Sequence, residues 1–167
     1  YHEAAHAALD LLFGFPFTHV RIHEQGGEEY DEEHRVSDAS FIRDEIQEAT
    51  QNTQLRMQAE WWLMSILAGN VAVWMLVAGD EPPRIVDDYS DYHRAYVAVC
   101  EMFPECSEET NHAFLWWLSL RAKDALAEVW HVVEQIAKLL TEKGEVTYQE
   151  CHAIYHPAGE GPVELAL

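Results

Sequence analysis

Nineteen uncharged residues run from Trp61 to Gly79, between Glu60 and Asp80, and a stretch of that length and character leaves the chain two ways to fold. An apolar helix of about twenty residues either crosses a bilayer or fills the centre of a packed core. Ser65, Gly69 and Asn70 break the apolar character in its middle, and both flanks are acidic, where a membrane anchor favours Lys or Arg. The expectation is a buried central helix over about Leu55 to Ala78 in a soluble protein, with no direct membrane insertion by these residues.

The other elements are read as partners for that helix. An alanine-rich helix from His2 ends near Phe13, with Gly14 as its stop and Pro16 barring continuation. Phe17 to His23 alternates as a strand does. Gln25 to Arg35 is acidic and glycine-punctuated, which suits a solvated hairpin loop or flap. Ser37 is placed to cap an amphipathic helix over about 38–50, with Phe41, Ile42, Ile46 and Ala49 at helical spacing. Asp80 to Pro83 ends the central helix, and Ser90 caps a further one from Asp91 to about Phe103, stopped by Pro104. Ser107 then opens a long helix to Leu140, striped by Leu115, Leu118, Ala122, Leu126, Val129, Val133, Ile136 and Leu140. Thr147 to Glu150 spells a capping box for a short last helix. The expected fold class is mainly α: one helical domain over 1–156 with a small β element after the first helix, and a C-terminal tail over 157–167.

The chain of 167 residues is long enough for a sizeable core. Thirty acidic against ten basic residues give a formal charge of −20, which repels phosphate backbones and anionic membranes and excludes nucleic acid as a partner. Cys100, Cys106 and Cys151 are odd in number and lack CxxC spacing, so a disulfide framework and a thiolate metal site are both disfavoured. A reducing, cytoplasmic setting fits them. The chain opens inside a helix and without Met, so residues preceding Tyr1 are expected.

The first helix carries the chemistry. His2-Glu3-Ala4-Ala5-His6 is His-Glu-x-x-His, and on a helix the two imidazoles fall one turn apart on one face. They can share a zinc ion while Glu3 faces the water that the ion holds. A catalytic zinc needs a third protein ligand and an open position. Leu12 stands where the extended form of the motif has its third histidine, so that ligand comes from elsewhere. Glu60 on the central helix is one candidate. Asp91 is the other, at a helix start where exposed N–H groups and the dipole favour an ionised carboxylate. Among the remaining histidines, His19, His23, His93, His112, His131, His152 and His156 show no ligand spacing.

Tyr1 to Ala7, followed by the Pro16 turn and the Val20-Arg-Ile22 strand, resembles the peptidase domain of the FtsH-like ATP-dependent zinc metalloproteases. Leu67-Ala-Gly-Asn-Val-Ala72 is similar to that family's small-residue helix, and Asp91-Tyr-His-Arg94-Ala95 to its Asp-x-x-Arg/Lys-Ala motif. Ile136 to Leu140 and the short capped helix after it are similar to its closing helices. The resemblance implies that Asp91 is the third zinc ligand beside His2 and His6. Ala5 replaces the family's motif glycine, Asn70 its arginine, and Val73 and Trp74 its acidic pair. No Gly-x-x-x-x-Gly-Lys-Ser/Thr occurs, so these residues include no nucleotide-binding loop.

The function expected is therefore zinc-dependent endopeptidase activity on flexible or unfolded polypeptides, with Zn2+ as cofactor and Glu3 as general base. The alternative is a metal-binding but non-proteolytic interaction domain on the same fold. Self-association as a homo-oligomer is left open.

Overall fold

Helix α1, His2–Phe13, forms because alanine and leucine carry almost no helical penalty, and it ends where Gly14 takes a left-handed conformation at φ 76°. The Gly14 N–H donates to the Leu11 carbonyl and the Phe15 N–H to that of Asp10, the paired bonds of a glycine-terminated helix. This is a computed structural model, and it describes residues 1–22, 53–77 and 91–157. The acidic loop, the helix expected over 38–50, the Asp80–Pro83 stop, the Ser90 cap and the tail from 158 onward lie outside the described residues.

Strand β1, His19–Arg21, follows α1, and α2, Thr53–Val77, is the long apolar helix. By length and composition α2 suffices to cross a membrane, yet its middle, from Leu63 to Ala72, is buried except at Asn70. It fills the centre of the fold. Helix α1 lies against one side of it and α4, Glu108–Glu128, against another, while α3, Asp91–Met102, covers part of the remainder. Ala4, Ala5 and Ala8 of α1 are all fully buried. Phe13 stacks on Trp61 with ring centroids 5.6 Å apart and ties the end of α1 to α2. Leu63 and Leu67 on α2 meet a core shared with Leu115, Leu118 and Leu126 on α4, all fully buried. Each contributes about 1.5–3 kcal/mol by leaving water.

The single long helix expected from Ser107 to Leu140 is two helices. The Ser107 hydroxyl accepts from the Thr110 N–H and starts α4 as anticipated, but the backbone leaves helical geometry at Val129. Helix α5, Trp130–Lys143, then sets off afresh. A β-branched and aromatic cluster, Val129 to Val133, weakens helical propensity locally. Packing rewards the break: α4 lies mainly on α2, whereas α5 lies on α1, with Trp130 stacked on Tyr1 at 5.9 Å. All eight stripe residues from Leu115 to Leu140 are nonetheless buried.

Gly144, at φ 78°, turns the chain into β2, Glu145–Thr147. It pairs antiparallel with β1, His19 opposite Thr147 and Arg21 opposite Glu145, and Val146 beneath is fully buried. Helix α6, Tyr148–Tyr155, opens with the expected capping box between Thr147 and Glu150. Among the described residues the fold is six helices and one two-stranded sheet, a mainly α architecture with a small β element.

Candidate metal centre

Helix α1 sets His2 above His6, their rings edge to face with centroids 4.8 Å apart. Asp91, in the first turn of α3 and only 2% exposed, reaches both. Its Oδ2 lies 3.0 Å from His2 Nε2 and 3.0 Å from His6 Nε2, and the two nitrogens are 3.2 Å apart. The three side chains form the one group with metal-ligand character among the described residues.

The hydrogen-bond partners of the triangle decide which protons it can carry. His6 Nδ1 lies 2.7 Å from the Ser65 carbonyl oxygen, which can only accept, so Nδ1 carries the hydrogen and a neutral ring leaves Nε2 with a lone pair. That lone pair faces a carboxylate oxygen and a second imidazole nitrogen. Protonating both rings would satisfy Asp91 but set two N–H groups against each other at 3.2 Å. One cation at the centre satisfies all three contacts. Around a zinc ion with bonds of about 2.0–2.1 Å, tetrahedral ligand atoms stand about 3.3–3.4 Å apart, so the triangle needs little adjustment to accept one.

The surroundings fit the same purpose. A Cβ at position 69 would sit 2.5 Å from His2 Cε1, His2 Nε2 and His6 Nε2, so only glycine lets α2 pass beside the converging nitrogens. Arg94, one turn along α3, brings Nη1 to 3.7 Å from Asp91 Oδ1 and leaves Oδ2 to the histidines. The Ser65 carbonyl fixes the His6 ring as outer partners of metal-binding histidines do. Nitrogen, nitrogen and carboxylate oxygen are a donor set that zinc accepts.

Glu60, the other candidate ligand, is not in the cluster. It is held by Arg121 at 2.8 Å and Arg56 at 3.2 Å. Glu3 follows His2 on α1, half-buried, with no ion pair or side-chain hydrogen bond among the described residues. Beyond Asp91, the Tyr92 ring and the Tyr96 ring stack on His112, and Tyr92 Oη meets His112 Nδ1 at 2.8 Å. Burial raises the Tyr92 hydroxyl pKa, and for Tyr96 the hydrogen bond with Cys100 raises it first. His152 on α6 and His156 just past its end lie with ring centroids 4.6 Å apart and planes tilted by 53°, apart from the cluster.

The chain matches no protein-family model and no curated protein. The candidate metal centre stands on its own geometry. Three residues of that geometry are missing from the motif: Gly69, Ser65 and Asp10, the last buried on α1 and accepting a hydrogen bond from the Ser65 hydroxyl. A signal for them exists. His2, His6 and Asp10 recur at steps of four on α1, and Ser65 and Gly69 at one step of four on α2, so each helix carries its polar or small residues on one face.

Proposed function

We propose that the chain is a zinc-dependent endopeptidase acting on flexible or unfolded polypeptides, with His2, His6 and Asp91 as metal ligands and Glu3 as general base. The observation that carries this reading is the 3.0, 3.0 and 3.2 Å triangle of donor atoms, built partly by the helical turn that also bears Glu3. Three protein ligands leave a fourth position for water. Zinc bound there would supply Lewis acidity, lowering the pKa of that water and polarising a peptide carbonyl. Glu3 takes up the proton of the attacking water and hands it to the leaving amine, a role worth about 10²–10⁴-fold in rate. Among the described residues no cation pairs with Glu3, which leaves its carboxylate available for both steps. The resemblance of Tyr1–Ala7 and Asp91–Ala95 to FtsH-like peptidases points the same way.

Among the described residues the two-stranded sheet leaves an outer edge on β1, where an extended polypeptide can add as a further strand and be recognised through its backbone. No nucleotide-binding loop is present in these residues, so the substrate's own flexibility must supply the extended segment. Free Cys100, Cys106 and Cys151 suit a cytoplasmic setting, and the charge of −20 disfavours nucleic acid. We place α2 as a core helix and not as a span, because its apolar middle is already covered by α1 and α4.

A second reading, a metal-holding interaction domain without hydrolytic activity, draws on the exposed Trp116, Trp117 and Leu120 of α4. Aromatic surface of that kind suits a protein interface, including one between copies of the chain. Metal analysis of the purified chain, combined with degradation of a disordered polypeptide before and after chelation, separates the two. The endopeptidase reading requires about one zinc per chain and activity that is lost on chelation and restored by zinc. Zinc without degradation leaves the interaction domain.

A further inference from the structure

Behind His6, away from the donor triangle, a buried polar pair links α1 to α2. Asp10 is 4% exposed and Ser65 is 2% exposed. The Ser65 hydroxyl donates to Asp10 Oδ1, while the Ser65 carbonyl accepts from His6 Nδ1 at 2.7 Å. One residue of α2 thus touches two residues of α1 that stand four apart, through its side chain and its main chain at once.

Each of these contacts has a local competitor. A serine inside a helix ordinarily turns its hydroxyl back to the carbonyl one turn earlier, which here belongs to Trp61. A helical carbonyl ordinarily serves the N–H four residues on, and accepts a second bond only if a donor is held on its free lone pair. Asp10 draws the hydroxyl away from its own helix and holds Ser65 in register against α1. In that register the carbonyl meets His6 Nδ1, which fixes the tautomer that leaves Nε2 free.

We propose that Asp10 is a positioning residue of the metal centre: through Ser65 it orients the His6 ring and its tautomer for metal binding. This rests on the metal-binding reading above. It assigns Asp10 no contact with substrate or metal. Two consequences follow that packing alone does not produce. Removing the pair should weaken metal binding and shift the His6 tautomer together, and a substitution that keeps an acceptor at position 10 should restore much of the loss.

The test is titration of the metal-free chain with Co2+, read by its ligand-field absorption, alongside thermal unfolding of the metal-free chain and 15N NMR of the His6 ring. In the wild type, Co2+ binds and Nδ1 carries the ring hydrogen. The double variant Asp10→Leu/Ser65→Ala, shown by its thermal transition to be folded, should bind Co2+ about 10–100-fold more weakly, the range for loss of an outer partner. Its His6 hydrogen should shift toward Nε2. Asp10→Asn, whose amide oxygen can still accept from Ser65, should bind more tightly than the double variant and keep the wild-type tautomer. Wild-type affinity and tautomer in the double variant would overturn the proposal while leaving the metal centre standing. Failure of the wild-type chain to bind either Co2+ or Zn2+ would overturn the metal reading itself, and this proposal with it.

Discussion

Gly69 sets how closely the two histidines can converge beside α2, because any Cβ there would lie 2.5 Å from both rings. Gly69→Ala should therefore cost about 1–3 kcal/mol of stability through overpacking, or else push the rings apart and abolish metal binding. Thermal unfolding with and without added zinc measures both effects, and a variant with unchanged stability and unchanged zinc content would contradict the packing. Asp91 and Glu60 provide a second contrast. Asp91→Ala should reduce zinc affinity by more than the roughly 100-fold upper range for losing an outer partner. Glu60→Ala should leave zinc content alone while costing about 1–3 kcal/mol through the lost contacts to Arg121 and Arg56. Elemental analysis of the two dialysed variants decides it, and the reverse pattern would move the third ligand to Glu60. His2, Glu3 and His6 were legible in the sequence because a motif within one turn of helix needs no tertiary knowledge. Spacing alone left Asp91 and Glu60 level, since only the fold brings α3 back to the start of α1.

Among the elements, α6 shows local chemistry deciding a boundary. Glu150 caps Thr147 and pairs with Lys143, and the Lys143 contact, ahead of the bonds from the Thr147 N–H and hydroxyl, lowers its pKa from 4.5 to about 2. A depressed carboxylate pKa stabilises the fold above the unfolded value and stops doing so as pH falls through the folded value. The stability difference between wild type and Glu150→Gln should hold steady above about pH 4.5 and shrink toward zero near pH 2. Chemical denaturation across that range reads it; a difference independent of pH would remove the charge from the cap. This capping box was legible because all its parts lie within four residues. The break at Val129 was not, because the apolar stripe keeps its three- and four-residue steps straight through it. Strand β2 escaped for a related reason: three residues carry too little alternation to read, and their pairing with β1 joins segments over a hundred residues apart.

At the scale of the whole molecule, mainly helical architecture follows from one helix too apolar to face water and from amphipathic helices that cover it. The surface that results carries the formal charge of −20. Attraction at that charge should favour disordered basic polypeptides over disordered acidic ones, and added salt should slow cleavage of the basic substrate more. ATP should have no effect on either, and a stable folded domain should resist. Cleavage rates across a salt series, with and without ATP, test this. Equal rates on folded and disordered substrates would contradict the dependence on substrate flexibility. The central claim, that His2, His6 and Asp91 hold a zinc ion beside which Glu3 moves protons, meets its most direct test in Glu3→Gln, which keeps the side chain's size and removes its basicity. Zinc content and hydrolysis of a disordered polypeptide should be measured on the same preparation. The predicted result is zinc retained at the wild-type level with hydrolysis reduced about 10²–10⁴-fold; zinc retained with hydrolysis unchanged would contradict it.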